Sequence, residues 1–153
     1  MYTKIISTEE EFSACLQIRR KVFCEEQKVD PKAEFDGLDD ESQHFLCLRG
    51  NIPVGTGRLR KTSLTQYKVE RMAVLLDERY KGIGSELIKA IIMEWEKKSQ
   101  LDKNLVLHSQ IHAKSFYEKE GFKVKGTSFI EERIKHIKMI LDLKLRKELK
   151  THE

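Results

Sequence analysis

The segment from Val69 to Lys98 constrains the fold of this chain more than any other. Val69–Val74 reads as a strand, and Gly82–Lys98 as the clearest helix, with Ile83, Leu87, Ile88, Ile91, Ile92 and Trp95 on one apolar stripe. Between them lies Arg79-Tyr80-Lys81-Gly82-Ile83-Gly84-Ser85. Glycines at 82 and 84 let the backbone approach a ligand closely. The N–H groups of a helix's first turn lack internal partners, and the helix dipole adds partial positive charge. Strand, glycine turn and helix start together make an anion cradle, suited to phosphates, with Arg79 and Lys81 adding charge. The spacing is neither that of a P-loop nor that of the dinucleotide fingerprint. The plain alternative is a glycine-bearing helix entry with solvated basic residues.

The rest of the chain supplies the other elements. Residues 2–7 form a short first strand, and Thr8 with Glu11 has the spacing of a capping box, which starts a helix at Glu9. Phe12, Leu16, Arg19, Val22 and Phe23 share one face of that helix, an odd setting for the charge of Arg19. Residues 28–42 read as a polar loop rich in acids. Gln43–Arg49 and Ile52–Arg60 flank the turn dipeptide Gly50-Asn51 as a hairpin. Leu105–His108 is a strand, and Ala113, Phe116 and Tyr117 mark a short helix ended by Gly121. Phe122–Phe129 and His136–Leu143 are closing strands. The order β-α-β-β-β-α-β-α-β-β predicts an α/β fold, a mixed central sheet with flanking helices.

Length and charge bound the function classes. With 153 residues the chain fits one domain, 1–143, followed by a polar basic tail over 144–153. A formal net charge of +4 argues against a bulk polyanion binder, so no nucleic acid is expected, but leaves a local anion site open. Cys15, Cys24 and Cys47 are odd in number and form no C-x-x-C pair, which points to a reducing compartment. With no apolar run of membrane-spanning length and no signal-peptide core at the N-terminus, the expectation is a cytoplasmic protein without a membrane partner.

Val74 through Ser85 resembles motif A of the GNAT acetyltransferase superfamily, R/Q-x-x-G-x-G/A. Ala113, Phe116, Tyr117, Gly121 and Phe122 resemble a second motif of that family, A-x-x-F-Y-x-x-x-G-F, in the expected order. Val22-Phe23-x-x-Glu26-Gln27, His108-x-Gln110 and His136-Ile137-x-Met139 look like the ElaA/YjcF-like branch, and the likeness spans about residues 5–143. It implies a GNAT-like sheet and acetyl transfer from acetyl-CoA to a small or peptide amine, by direct attack in a ternary complex. Met72, Ala73, Val74, Arg79, Tyr80, Lys81, Gly82, Ile83, Gly84, Ser85, Gln110, Phe116 and Tyr117 would then contact the cofactor. Gln110 stands where many members carry the asparagine that meets the pantetheine arm. Dimers are common in the family, which makes a homodimer an expectation by analogy.

The chemistry asks for charge stabilisation, an acid for the leaving thiolate and a base for the amine. The resemblance assigns the backbone N–H of Val74 to the first and Tyr117 to the second, with a core aromatic as the plain reading of Tyr117. A phenol near pKa 10 facing a thiol near 8.5 favours a strengthening hydrogen bond over full proton delivery. Candidate bases are Glu70, placed on the face of Met72 and Val74 by strand alternation, and the strand histidines His44 and His136; His108 and His112 are weaker candidates. Glu70 could instead pair with Arg71 or Lys68. The histidines and carboxylates show no metal-ligand spacing, so no metal is expected. A partly buried Arg19 needs a carboxylate, and Asp36, Asp39 and Glu26 are candidates. Arg19-x-x-x-Phe23 and Asp36-x-x-Asp39 are also similar to pieces of the acyl-homoserine lactone synthases, which would put Arg19, Phe23, Asp36 and Asp39 at the substrate, and Gln27 of the ElaA/YjcF-like stretch is a further substrate-binding candidate. The acidic loop 34–41 could attract a cationic acceptor. A non-catalytic acyl-CoA sensor and a lactone-synthase-type acyltransferase are the alternatives.

Overall fold

A computed structural model describes residues 1–98 and 104–141. The expected tail, 144–153, and the last two residues of the expected final strand lie outside the described residues. The helix-strand order follows the sequence expectation, with additions. In chain order the elements are β1 (Tyr2–Ile5), α1 (Glu9–Arg19), a π-helical stretch (Arg20–Glu26), α2 (Pro31–Glu34), β2 (Ser42–Arg49), β3 (Ile52–Ser63), β4 (Gln66–Val74), α3 (Ile83–Lys98), β5 (Asn104–Gln110), α4 (Lys114–Lys119), β6 (Phe122–Val124), β7 (Phe129–Glu131) and β8 (Ile134–Leu141). The polar loop therefore contains a one-turn helix, with Asp30 as its cap and Pro31 at its start. The expected strand Phe122–Phe129 is two strands, which pair end to end with β8. Among the described residues no helix is long and apolar enough to cross a membrane.

One mixed sheet runs in the order β1-β2-β3-β4-β5-β8-β6, with β7 also on β8. All of its pairings are antiparallel except β4 with β5. One face carries α3, whose Ile83, Leu87, Ile88, Ile91, Ile92 and Trp95 are buried against Phe45, Val69, Leu105, Leu107 and Met139. Each such aliphatic side chain contributes roughly 1.5–3 kcal/mol. The helix lies close because β3 presents glycines: a Cβ on Gly57 would stand 2.7 Å from Met72 Sδ and 2.8 Å from Ile91 Cδ1. The other face carries α1, through Cys15, Ile18 and Val22 against Leu46, Leu48 and Ala73. The Thr8–Glu11 capping box starts α1 as the sequence predicts.

Two irregularities position the site. The paired register of β4 and β5 runs from Gln66–Asn104 to Val69–Leu107, beyond which the two parallel strands separate. At that point Arg71 takes φ +57°, and the β3–β4 register shifts between Thr56 and Arg58. A left-handed residue in a strand is a bulge, and it reverses the alternation of side chains downstream.

Candidate active site

The gap between β4 and β5 exposes backbone on the β4 side. Leu75 N–H donates to Val54 O on β3. Backbone groups alternate along a strand, so the N–H and C=O of Val74 point to the other edge, toward the gap. That carbonyl accepts from Arg79 Nε at 3.0 Å. Just beyond, Tyr80 (φ +64°) and Gly82 (φ +85°) turn the chain into α3. The first intrahelical bond there is from Glu86 N–H to Gly82 O, so the amides of Ile83, Gly84 and Ser85 are left for a ligand. These amides fit a phosphate-bearing group.

The side chains around this cradle behave differently from expectation. The Arg79 guanidinium grips Glu26 at 2.6 and 2.8 Å, tying the glycine loop to the π-helical stretch. Lys81 leans on Glu78 at 3.4 Å and remains half exposed, while Tyr80 is fully exposed. Ser85 Oγ donates to Glu120 at 2.7 Å. Gly84 is small for packing rather than for a ligand, since a Cβ would stand 3.2 Å from the Phe116 ring. Phe116 meets Tyr117 edge-on with centroids 4.9 Å apart. Tyr117 is buried, and burial raises its phenol well above the ordinary value. It therefore stays protonated and keeps a hydrogen to donate. At the end of β5, Gln110 Nε2 donates to Gln27 Oε1 at 2.9 Å. An expected cofactor residue and an expected acceptor residue thus meet across the gap.

Glu70 is not placed as the sequence suggests. Met72 and Val74 pack toward α3. Glu70, on the other side of the Arg71 bulge, faces the α1 side, where it accepts from Arg60 at 2.7 Å and from Arg58, with Lys68 at 3.5 Å. Burial alone would raise its carboxyl, but Arg60 and Arg58 hold it down to about 2. So weak a base is unsuited to an amine.

Glu70 belongs to a buried ionic layer. Arg19 pairs with Glu34 at 2.6 Å and with Asp39 at 2.8 Å, and Arg58 with Asp36 and Asp39, each at 2.9 Å. Arg71 reaches Glu34 and Asp36, each at 3.1 Å. Arg19 and Arg58 are 1% and 0% exposed. The ion-pair reading of Arg19 therefore describes the structure. Arg19 is engaged by Glu34 and Asp39, Asp36 by Arg58 and Arg71, and Asp39 by Arg19 and Arg58. The acids of the 34–41 loop are correspondingly unavailable to draw a cationic acceptor through Glu34, Asp36 or Asp39. Glu26, the third candidate for Arg19, serves Arg79 instead.

The histidines separate in the same way. His44 sits two strands from the gap, packed edge-on against Phe12, with Nε2 3.0 Å from Asp39 O. Burial lowers its pKa, and its ring belongs to the α1 core rather than to an acceptor cleft. His136 lies opposite Gln110 in the β5–β8 register, beside the gap. Its Nδ1 is 2.7 Å from Ile134 O. A carbonyl only accepts, so Nδ1 carries the proton and Nε2 is the basic nitrogen. Phe23 packs in the α1 cluster. Arg58, Glu34, Arg71 and Glu131 were missed in the sequence. Alternating charges at Arg58 and Arg60 on β3 and at Lys68 and Glu70 on β4 are the signal that could have found part of the layer.

A split parallel strand pair beside a helix-start cradle is the architecture of an acyltransferase of the GNAT type. YjcF of Bacillus subtilis strain 168, an uncharacterized N-acetyltransferase, is 33% identical over 146 residues, 93% of this chain and 100% of that one. The crystal structure of an acyl-CoA N-acyltransferase from Pseudomonas aeruginosa superposes with a TM-score of 0.81 at 27% identity, covering 93% of this chain and 100% of that one. Escherichia coli ElaA shares the fold, with a TM-score of 0.80 at 24% identity over 93% and 100% of the two chains. The family model of the acetyltransferase (GNAT) domain matches residues 7–143. The chain belongs to the GNAT acetyltransferase family, on its ElaA/YjcF-like branch.

Proposed function

We propose that the chain transfers an acetyl group from acetyl-CoA to an amine, by direct attack within a ternary complex. The observation that carries this reading is the gap itself: the Val74 N–H opens onto it while the amides of Ile83, Gly84 and Ser85 stand at its end. Acetyl-CoA supplies an activated thioester. The helix-start amides take its pyrophosphate, Gln110 meets the pantetheine arm, and Val74 N–H donates to the carbonyl oxygen as charge grows there, a contact worth about 3 kcal/mol. His136 Nε2 takes a proton from the amine. The C–N bond forms as the C–S bond breaks, and the sulfur leaves with the electron pair, met by a hydrogen bond from the Tyr117 hydroxyl.

Two measurements test the reading. CoA at a hundred times its dissociation constant should stabilise the fold by about 2.7 kcal/mol in thermal unfolding. Acetyl-CoA with a panel of amines should release free thiol. An absent shift at millimolar CoA sinks the cofactor assignment, while binding without thiol release for any amine makes the chain a sensor rather than an enzyme.

A further inference from the structure

Three successive residues of the chain reach three separate sides of the gap. Glu26 holds the Arg79 guanidinium of the glycine loop at 2.6 and 2.8 Å. Gln27 meets Gln110 at the end of β5. Lys28, at φ +61°, offers its carbonyl to Arg133 Nη2 of the β7–β8 turn at 3.3 Å. The π-helical stretch delivers them there. Gln27 N–H donates to Val22 O, five residues back, at 3.1 Å, and Val29 N–H donates to Phe23 O at 2.8 Å. Such a turn carries one residue more than an α-helical turn and is a frequent companion of functional sites.

The contact between the two glutamines is asymmetric. Gln110 Nε2 donates to Gln27 Oε1 at 2.9 Å, whereas Gln27 Nε2 stands 3.5 Å from Gln110 Oε1. Gln110 thus commits its donor and leaves its acceptor oxygen nearly free. The backbone of Gln110 is fixed as well, since Ser109 Oγ donates to its carbonyl at 2.8 Å. Beyond that backbone a glutamine has one torsion more than an asparagine, and freezing it costs side-chain entropy. Gln27 is the partner that removes this freedom.

We propose that Gln27 is a positioning residue for the cofactor: it takes the NH2 group of Gln110 and so turns the Gln110 carbonyl oxygen to an amide N–H of the pantetheine arm. This rests on the acetyltransferase reading, and it moves Gln27 from the acceptor to the cofactor. Gln27 acts through Gln110 alone. The anchors at Glu26 and Lys28, on either side of it, keep it in place as the arm enters. Without Gln27 the Gln110 amide is free to rotate and to set its own N–H groups against those of the arm. A partner that only accepts enforces the same choice, so a carboxylate at position 27 can replace the amide, and an apolar side chain of similar size cannot.

The test compares CoA with adenosine 3′,5′-bisphosphate, which has the nucleotide end and no arm, in calorimetric titrations of the full chain. In Gln27→Leu the Kd for CoA should rise about five- to tenfold, as for the loss of one aligned hydrogen bond. The Kd for the bisphosphate should stay within about twofold. Gln27→Ala, a second truncation, should behave like Gln27→Leu. In Gln27→Glu any repulsion from the new charge falls on both ligands, so the ratio of the two constants should stay near that of wild type. In the CoA-free protein the side-chain amide resonances of Gln110 should move toward those of a free glutamine in Gln27→Leu and not in Gln27→Glu. A wild-type ratio in both truncations, or a Gln27→Glu ratio as poor as theirs, overturns the inference alone, since CoA still binds. A wild-type chain that binds neither ligand overturns the acetyltransferase reading and this inference with it.

Discussion

Both terminal nitrogens of Arg79 engage both carboxylate oxygens of Glu26, so the glycine loop before α3 is held by the π-helical stretch Arg20–Glu26. The guanidinium is therefore spoken for before any phosphate arrives. Glu26→Gln should release it and tighten CoA binding a few-fold, with a steeper dependence on salt. The stability change should stay within about 1 kcal/mol, because both groups are partly solvated. Calorimetric titration at two ionic strengths checks this, and an unchanged affinity would show that Arg79 does not reach the phosphates.

Arg58 holds Asp36, Asp39 and Glu70 at once. Arg58→Met takes the shared partner from a buried layer in which Asp36, Asp39 and Glu70 keep Arg71, Arg19 and Arg60, and should cost about 3–5 kcal/mol in urea unfolding. Arg19→Ala should be costly for the same reason, through Glu34 and Asp39. A variant of either kind that unfolds like wild type would contradict the burial of the layer.

The same layer sets an acid limit. Glu70 is held down to about 2, and Asp36 and Asp39 are also lowered, against burial and through Arg58 and its neighbours. A lowered folded pKa means the ionised group contributes stability above its unfolded value, near 4. That stability is lost as pH falls from about 4 toward 2. Burial shifts Glu34 upward, which works in the opposite sense. Stability measured by denaturant from pH 6 downward should fall steeply below about 4, and Glu70→Gln should flatten part of the slope.

Glu70 and His136 make opposite kinetic predictions. Glu70→Gln should lower the melting temperature yet keep the shape of the pH–rate profile. His136→Gln should lower turnover by about 10²-fold or more. A profile that changes shape in Glu70→Gln would reinstate the glutamate as the base.

Tyr117→Phe keeps the ring packing against Phe116 and Phe122. It should lower turnover while leaving CoA affinity within about twofold, as expected of an interaction made only in the transition state. Equal turnover would return Tyr117 to the core.

The parts legible in the sequence were local ones. The α3 stripe, the Thr8–Glu11 box and the two motifs each depend on spacings of a few residues, and each took the form expected. Side-chain assignments failed where one residue changed a phase. Nothing in Glu70-Arg71-Met72 announces a left-handed residue, since neither glycine nor asparagine stands there. Alternation therefore put Glu70 on the wrong face. The partners of Arg19 were half legible: Asp39 was among the candidates, while Glu34 was hidden in a one-turn helix 15 residues away. Arg58 and Arg71 gained their roles only when three distant segments met.

Arg71 holds φ +57° while its side chain reaches Ala33 O, Glu34 O and Asp36. Glycine would adopt that backbone without strain, but it could not reach any of these groups. The residue that parts the two central strands is thus also a tether for the overlying segment. A substitution at this position would therefore alter the separation of the strands and loosen the overlying segment together. A chemist wishing to widen the cleft has more freedom at Gln27, where a hydrogen bond from Gln110 is what is lost.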